Sequence, residues 1–316
     1  MITLREEIPL APLTTFGIGG AARFYAEVAN TQELREALDF ARHQGLPFFL
    51  MGGGSNLLVS DAGFPGVALR STGRGLRREG AEVVVEAGVE LTGLVRRCAE
   101  WGLAGVETLA GIPGLVGGAV RGNAGAYGGS LAEACASVRV LDAETLEERT
   151  LSGEECRFGY RDSRFKRNPI LVVLETRLSL TPAPVGELRE RVTATLAKRA
   201  ARRLDCERSV GSYFTNPSVA DRDLVARFES EQGVRAREGR LPAGWLIDQA
   251  GLRNLRVGGA QVSGVHANYL INTGGASARD VLELARLVKE RVFDATGVRL
   301  VEEVSRLGFS AEELSD

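Results

Sequence analysis

Histidine is almost absent from this chain. Its 316 residues include only His43 and His266, so a histidine-rich metal site and a Ser/His hydrolase are both poorly supported. His43 falls on an amphipathic helical stretch, and His266 alone would have to do all the work. Cysteine is nearly as scarce. Cys98, Cys135, Cys156 and Cys206 are far apart and form no Cys-x-x-Cys pair, so neither a zinc knot nor a thioredoxin-like motif is readable. All four read as small buried hydrophobes, and no metal site is expected. Lysine occurs only at 166, 198 and 289 among 39 basic residues, against 41 acidic ones, for a formal net charge of -2. That balance gives no electrostatic case for nucleic acid or an anionic membrane. The arginine bias is as easily a matter of genomic base composition, so nothing functional follows from it. No apolar run approaches the roughly 20 residues of a membrane span, and the N-terminus lacks a basic start followed by an apolar run. A cytoplasmic protein is expected.

Glycine, by contrast, is concentrated. Residues 111–129 contain eight glycines in nineteen positions, and the spacers are Ile, Val, Leu and Ala rather than the Ser and Gln of a flexible linker. A packed glycine run permits positive φ and close approach, leaving backbone amides to face something large, flat or anionic. A nucleotide cofactor is the most natural guest; tight turns between short strands are the plain alternative. A second glycine stretch points the same way. Phe24 to Val28 reads as a strand, Asn30 and Glu33 as the capping box of a helix stopped at Gly45, and Pro47 to Met51 as a strand running into Gly52-Gly53-Gly54-Ser55-Asn56. Strand, helix, strand and glycine loop is nucleotide-binding grammar, although Gly-x-Gly-x-x-Gly and Gly-Lys-Ser/Thr are both missing and Leu57 to Val59 continues as a strand. Successive amides in such a turn can still cradle a pyrophosphate.

Length and 44% hydrophobic content suggest two domains. Strands are expected at Glu82–Glu86, Val138–Asp142 and Leu171–Leu180, and a short helix through Leu91, Leu94, Val95 and Cys98. Dense glycine with many short strands argues for α+β rather than a doubly wound sheet. A charged helix from Val185 to about Arg203 reads as a connector or as a solvated surface helix. The last hundred residues hold two clearer helices, Ala243–Ala250 and one beginning at Ser277 and ending at Gly297, which suggests a separate small α/β domain.

Six motifs in order carry a family resemblance: Thr15 to Gly20, Gly52 to Leu58, Gly111 to Gly128, Tyr160-Arg161-Asp162-Ser163, Gly211-Ser212-Tyr213-Phe214 with Asn216-Pro217, and Ala243 to Ile247 with Gly258 to Val262. Together they resemble the UDP-N-acetylenolpyruvoylglucosamine reductases over nearly the whole chain. The resemblance implies an α+β protein with an FAD-binding domain of the vanillyl-alcohol-oxidase (PCMH) type at 1–185, divided near 70. A connector at 186–208, a smaller α/β substrate-binding domain at 209–308 and a tail at 309–316 would follow. It implies non-covalent FAD, since His43 is the only histidine in that half. The pyrophosphate loop would be Gly52, Gly53, Gly54, Ser55 and Asn56. The flavin segment would comprise Gly111, Ile112, Pro113, Gly114, Gly117, Gly118, Asn123, Ala124, Gly125 and Ala126.

The same resemblance implies NADPH as hydride donor and a UDP-sugar bearing an enolpyruvyl group as substrate. Ser212 would donate the proton, while Arg161 and Glu303 would hold the substrate carboxylate and the developing charge. Tyr160, Asn216 and Gln261 would contact substrate, and Arg202 would contact NADPH. Thr215 stands where the family usually has lysine, and Ser305 where it usually has arginine. The 50 residues between Arg161 and Ser212 match the shorter family type without an extra tyrosine-bearing loop. A monomer that binds neither nucleic acid nor membrane is expected. A sugar or alcohol oxidase on the same FAD domain, and a non-catalytic nucleotide-binding protein, are the rival readings.

Overall fold

The computed structural model describes residues 2–201 and 207–314; Arg202 and Cys206 lie outside the described residues. Two compact units divide the chain.

The first unit comprises residues 1–8, 22–54 and 65–201. Its smaller sheet orders the strands Arg5–Pro9, Ala21–Val28, Phe64–Ser71 and Phe48–Met51, the last two parallel. The helix Thr31–His43 starts where the Asn30 side chain accepts from the Glu33 amide, and buries Leu34, Ala37, Leu38 and Ala41. A larger antiparallel sheet orders Glu148–Ser152, Cys135–Asp142, Leu171–Ser179, Glu82–Glu86 and Leu76–Glu79. Alternation along Leu171–Ser179 feeds two cores. Leu171 and Val173 pack among the helices Leu91–Glu100, Val116–Arg121 and Val185–Ala201, whereas Val172 joins the core beneath the smaller sheet. The expected connector helix therefore belongs to the first unit, because Leu188 and Val192 are buried in its core.

The second unit comprises residues 9–21, 55–64 and 202–316. Its antiparallel sheet orders Ser209–Ser212, Tyr269–Asn272, Ala260–Val262 and Arg256–Val257. The helix Ala278–Thr296 buries Val281, Leu284, Ala285, Val288 and Val292 in the same core. It is capped by Ser277 with Asp280 and closed by Gly297 at φ 69°. Hydrogen bonds from the Ser277 and Gly259 amides keep the Asp280 carboxyl below its usual pKa. Two N-terminal stretches join this unit, against a linear division near residue 185. Phe16, Ile18 and Leu58 bury in its core, and Leu57–Val59 pairs in parallel with Ser305–Leu307. The chain thus changes units at the glycine loop, between Gly54 and Ser55.

Candidate active site

Strand Phe48–Met51 delivers the chain to Gly52–Gly54, where Gly54 turns at φ 66°. The two glycine segments meet backbone to backbone: a Cβ on Gly53 would stand 3.1 Å from the Gly114 Cα. Gly114 itself needs φ 122°, and its carbonyl accepts from the Leu91 amide at 3.0 Å.

The glycines of these segments divide into two kinds. Some are required by the chain's own packing, since a Cβ would meet the Arg199 side chain at 2.8 Å from Gly111, the Ala87 Cβ at 2.9 Å from Gly117, and the Gly129 carbonyl at 2.6 Å from Gly125. Others face open space: nothing lies within 4 Å of a Cβ on Gly118, and only the Leu115 Cβ, at 4.0 Å, approaches one on Gly52. A side chain at these positions would meet little of the protein: Gly118 is exposed and Gly52 half-buried. Around them, Ile112 and Ala124 are tied by their amides to Leu109 and Ala119, Ala126 pairs with Gly129 in a two-residue ladder, and Pro113 is exposed.

Asn123 is 7% exposed, and its side chain works within the protein. Its Nδ2 donates to the Gly159 carbonyl at 2.9 Å and its Oδ1 accepts from the Ala132 amide at 3.0 Å. It therefore ties the second glycine segment to the loop that carries Arg161. Gly159 and Asp162 exchange backbone hydrogen bonds around Tyr160 and Arg161. The buried Ser163 donates to the Arg121 carbonyl at 2.6 Å, and Asp162 is ion-paired with Arg167. Arg161 sits at φ 55° with its guanidinium 5.7 Å from the centre of the exposed Tyr160 ring. A left-handed conformation costs an arginine roughly 1 kcal/mol or more, and such strain clusters at functional positions.

In the second unit, Ser212 ends an edge strand opposite Tyr269, just after Gly211 at φ 75°. Among the described residues, none hydrogen-bonds to the Ser212 hydroxyl, which belongs to a half-buried residue. The segment after it is clamped by Asn268, 3% exposed, whose backbone carbonyl accepts from the Tyr213 amide. Its side chain accepts from the Phe214 amide at 3.0 Å and donates to the Phe214 carbonyl at 2.8 Å. Phe214 pairs antiparallel with Glu302, and the Glu303 amide donates to the Tyr213 carbonyl at 2.8 Å. Asn56 Nδ2 donates to the Glu303 carbonyl at 3.3 Å. Ser212, Glu303 and the end of the first glycine loop are thereby brought together.

Asn216 and Gln261 have structural partners. Asn216 Oδ1 accepts from the Ala243 amide at 3.0 Å, at the start of the helix Ala243–Gln249, and Gln261 Nε2 donates to Asn254 at 3.2 Å. Thr215 is bound to the Val301 carbonyl, and Ser305 donates its amide to the Asn56 carbonyl at 3.2 Å.

Asn268 escaped sequence reasoning. The available signal was an amide set between Ala267 and the apolar strand Tyr269–Asn272. Cys98, Cys135 and Cys156 are free and buried, and burial pushes the Cys98 thiol up to about 12, which removes it as a nucleophile near neutral pH. The described residues hold no cluster of three or more His, Cys, Asp or Glu side chains suited to a metal ion. No helix among them is long and apolar enough to cross a membrane.

The FAD binding domain family matches residues 22–148, and the C-terminal domain family of UDP-N-acetylenolpyruvoylglucosamine reductase matches residues 200–307. A flavin-binding domain of the PCMH type followed by such a C-terminal domain makes this an α+β oxidoreductase of the flavoprotein class. Similar proteins include the UDP-N-acetylenolpyruvoylglucosamine reductase of Synechococcus sp. (strain JA-3-3Ab), 39% identical over 307 residues that cover 96% of this chain and 91% of that one. That of Solibacter usitatus (strain Ellin6076) is 37% identical over 308 residues, 97% of each chain. The crystal structure of the reductase (MurB) from Thermus caldophilus matches with a TM-score of 0.77 at 34% identity, covering 97% of this chain and 100% of the other. The chain belongs to the UDP-N-acetylenolpyruvoylglucosamine reductase family.

Proposed function

We propose that this enzyme uses NADPH to reduce the enolpyruvyl group of UDP-N-acetylenolpyruvoylglucosamine to the lactyl ether of UDP-N-acetylmuramate, a step of peptidoglycan precursor synthesis. A cytoplasmic monomer is its proposed working form. Bound FAD supplies the hydride chemistry. Gly52 and Gly118, with open space where a side chain would stand, belong to the segments that hold it.

The observation that carries the reading is the pairing of residues 213–215 with 301–303, which brings the segment directly after Ser212 against Glu303. Reduction of an enolpyruvyl carbon leaves negative charge on its neighbour, which must be met by a proton. Ser212 Oγ, without a hydrogen-bond partner among the described residues, is proposed to donate it. Serine is a weak acid, so the developing enolate must be held close and already stabilised. Glu303 and the Arg161 guanidinium are assigned that task, the latter by a bidentate grip on the substrate carboxylate. Tyr160, Asn216 and Gln261 are proposed substrate contacts; the last two would have to combine that role with the hydrogen bonds described above.

The test is NADPH consumption by purified protein of flavin absorbance. Consumption that depends on the enolpyruvyl sugar nucleotide supports the proposal. Consumption with oxygen alone points instead to an oxidase, and a colourless protein that cannot be reconstituted with FAD removes every flavoenzyme reading.

A further inference from the structure

One charged cluster has no part in the roles above. Glu302 carries an ion pair with Lys289, 3.2 Å away on the helix Ala278–Thr296, and another with Arg306. The three side chains retain only 12, 20 and 21% of their exposure. Two cations therefore surround one anion at a poorly hydrated position, where removing a partner is costly. The fully buried Tyr213 lies within reach of this field: burial first, then the charge of Glu302, raises its hydroxyl pKa. The cluster thus bears on both paired segments, through the residue after Ser212 and the residue before Glu303.

Successive side chains of an extended segment project to opposite sides. Glu302 is drawn toward Lys289 and Arg306, which directs its neighbour away from them. We infer that Lys289 and Arg306 are positioning residues: by gripping Glu302 they fix the direction in which Glu303 is presented to the substrate. This inference rests on the function proposed above. Lys289 is the more important of the two, since it comes from a helix packed in the core, whereas Arg306 is only four residues along the same chain.

Lys289→Met keeps the apolar stem and a good helix former while removing the charge. Misplacement of a reacting group by about an ångström costs up to about 100-fold in rate. Oxidation of the reduced flavin by the enolpyruvyl sugar is therefore expected to slow about 10- to 100-fold, with substrate KM, flavin content and reduction by NADPH unchanged. Lys289→Arg should recover most of that loss. Equal slowing of both half-reactions, loss of flavin, or a folded variant with native rates would each overturn the inference. So would a lysine-to-arginine change that rescues nothing. If Lys289→Met does not fold, Arg306→Gln is read by the same criteria. A wild-type protein that turns over NADPH without any dependence on the sugar overturns the functional proposal itself, and this inference with it.

Discussion

The backbone amide of Glu303 donates to the carbonyl of Tyr213 at 2.8 Å. Eighty-nine residues of chain lie between the partners, so sequence proximity plays no part in bringing them together. The bond depends on the Tyr213–Phe214 segment keeping its extended path, and Asn268 enforces that path from the other side.

Asn268→Leu should therefore be among the more damaging single changes in the second unit. The substitution nearly preserves volume but leaves the buried Phe214 N–H and C=O without their partners. Each such group costs about 1–3 kcal/mol. Urea denaturation should show a loss of that size or more, and sugar-dependent turnover should fall with it. A variant within about 0.5 kcal/mol of wild type, the range of an ordinary surface change, would show that the clamp is dispensable.

The glycines allow a contrast between cofactor contact and self-packing. Gly118→Val adds a side chain into open space, so it should fold with a near-native melting temperature yet purify depleted in flavin. Gly125→Val places its Cβ against the Gly129 carbonyl and should disturb the hairpin whether or not flavin is near. Loss of flavin there would not identify a cofactor contact. Full flavin content in Gly118→Val would remove this face of the segment from the cofactor site.

Arg161→Lys separates charge from shape. Lysine keeps the cation but loses the planar fork, and it inherits the φ of 55° that the loop imposes. Sugar-dependent turnover should stay impaired, by roughly the 1.5–3 kcal/mol of a hydrogen bond to a charged group, while NADPH-driven flavin reduction continues. Near-native turnover would mean that charge alone suffices, or that the arginine acts elsewhere.

Much of this was legible in the sequence because it is local. Asn30 with Glu33 and Ser277 with Asp280 announce helix starts, Gly297 announces a stop, and each occurs where the capping chemistry requires. The two glycine segments were legible as packed loops, but the contact between Gly53 and Gly114 was not, since it depends on the fold between them. The division of the chain was hidden for the same reason. Leu57–Val59 reads as one more short strand, and only its pairing with Ser305–Leu307 shows which core it joins. The side-chain bonds of Asn123 to Gly159 and Ala132 were hidden as well, because they too depend on how the segments fold. The ion pairs of Glu302 with Lys289 and Arg306 were not legible either, since the lysine comes from a helix that only the fold brings near.

The last prediction separates the two half-reactions. NADPH can reduce the flavin without any acid beside the enolpyruvyl carbon, so Ser212→Ala should bleach its flavin at nearly the native rate. The alanine should cost little stability, because no hydrogen bond within the described residues is lost with the hydroxyl. Reoxidation by the enolpyruvyl sugar should then fail, since the enolate has no donor beside it. A missing general acid costs on the order of 10²- to 10⁴-fold. Glu303→Gln should behave differently. Its backbone bonds to Tyr213 and Asn56 do not involve the side chain, so the segment should stay in place. An amide can still donate a hydrogen bond to the substrate carboxylate but cannot share a proton with it, so the same half-reaction should slow while substrate binding largely persists. Stopped-flow spectra of flavin reduction and reoxidation, recorded separately, decide between the roles. If Ser212→Ala slows reduction by NADPH as much as reoxidation by the sugar, the serine positions NADPH or the fold, and the proton must come from another group.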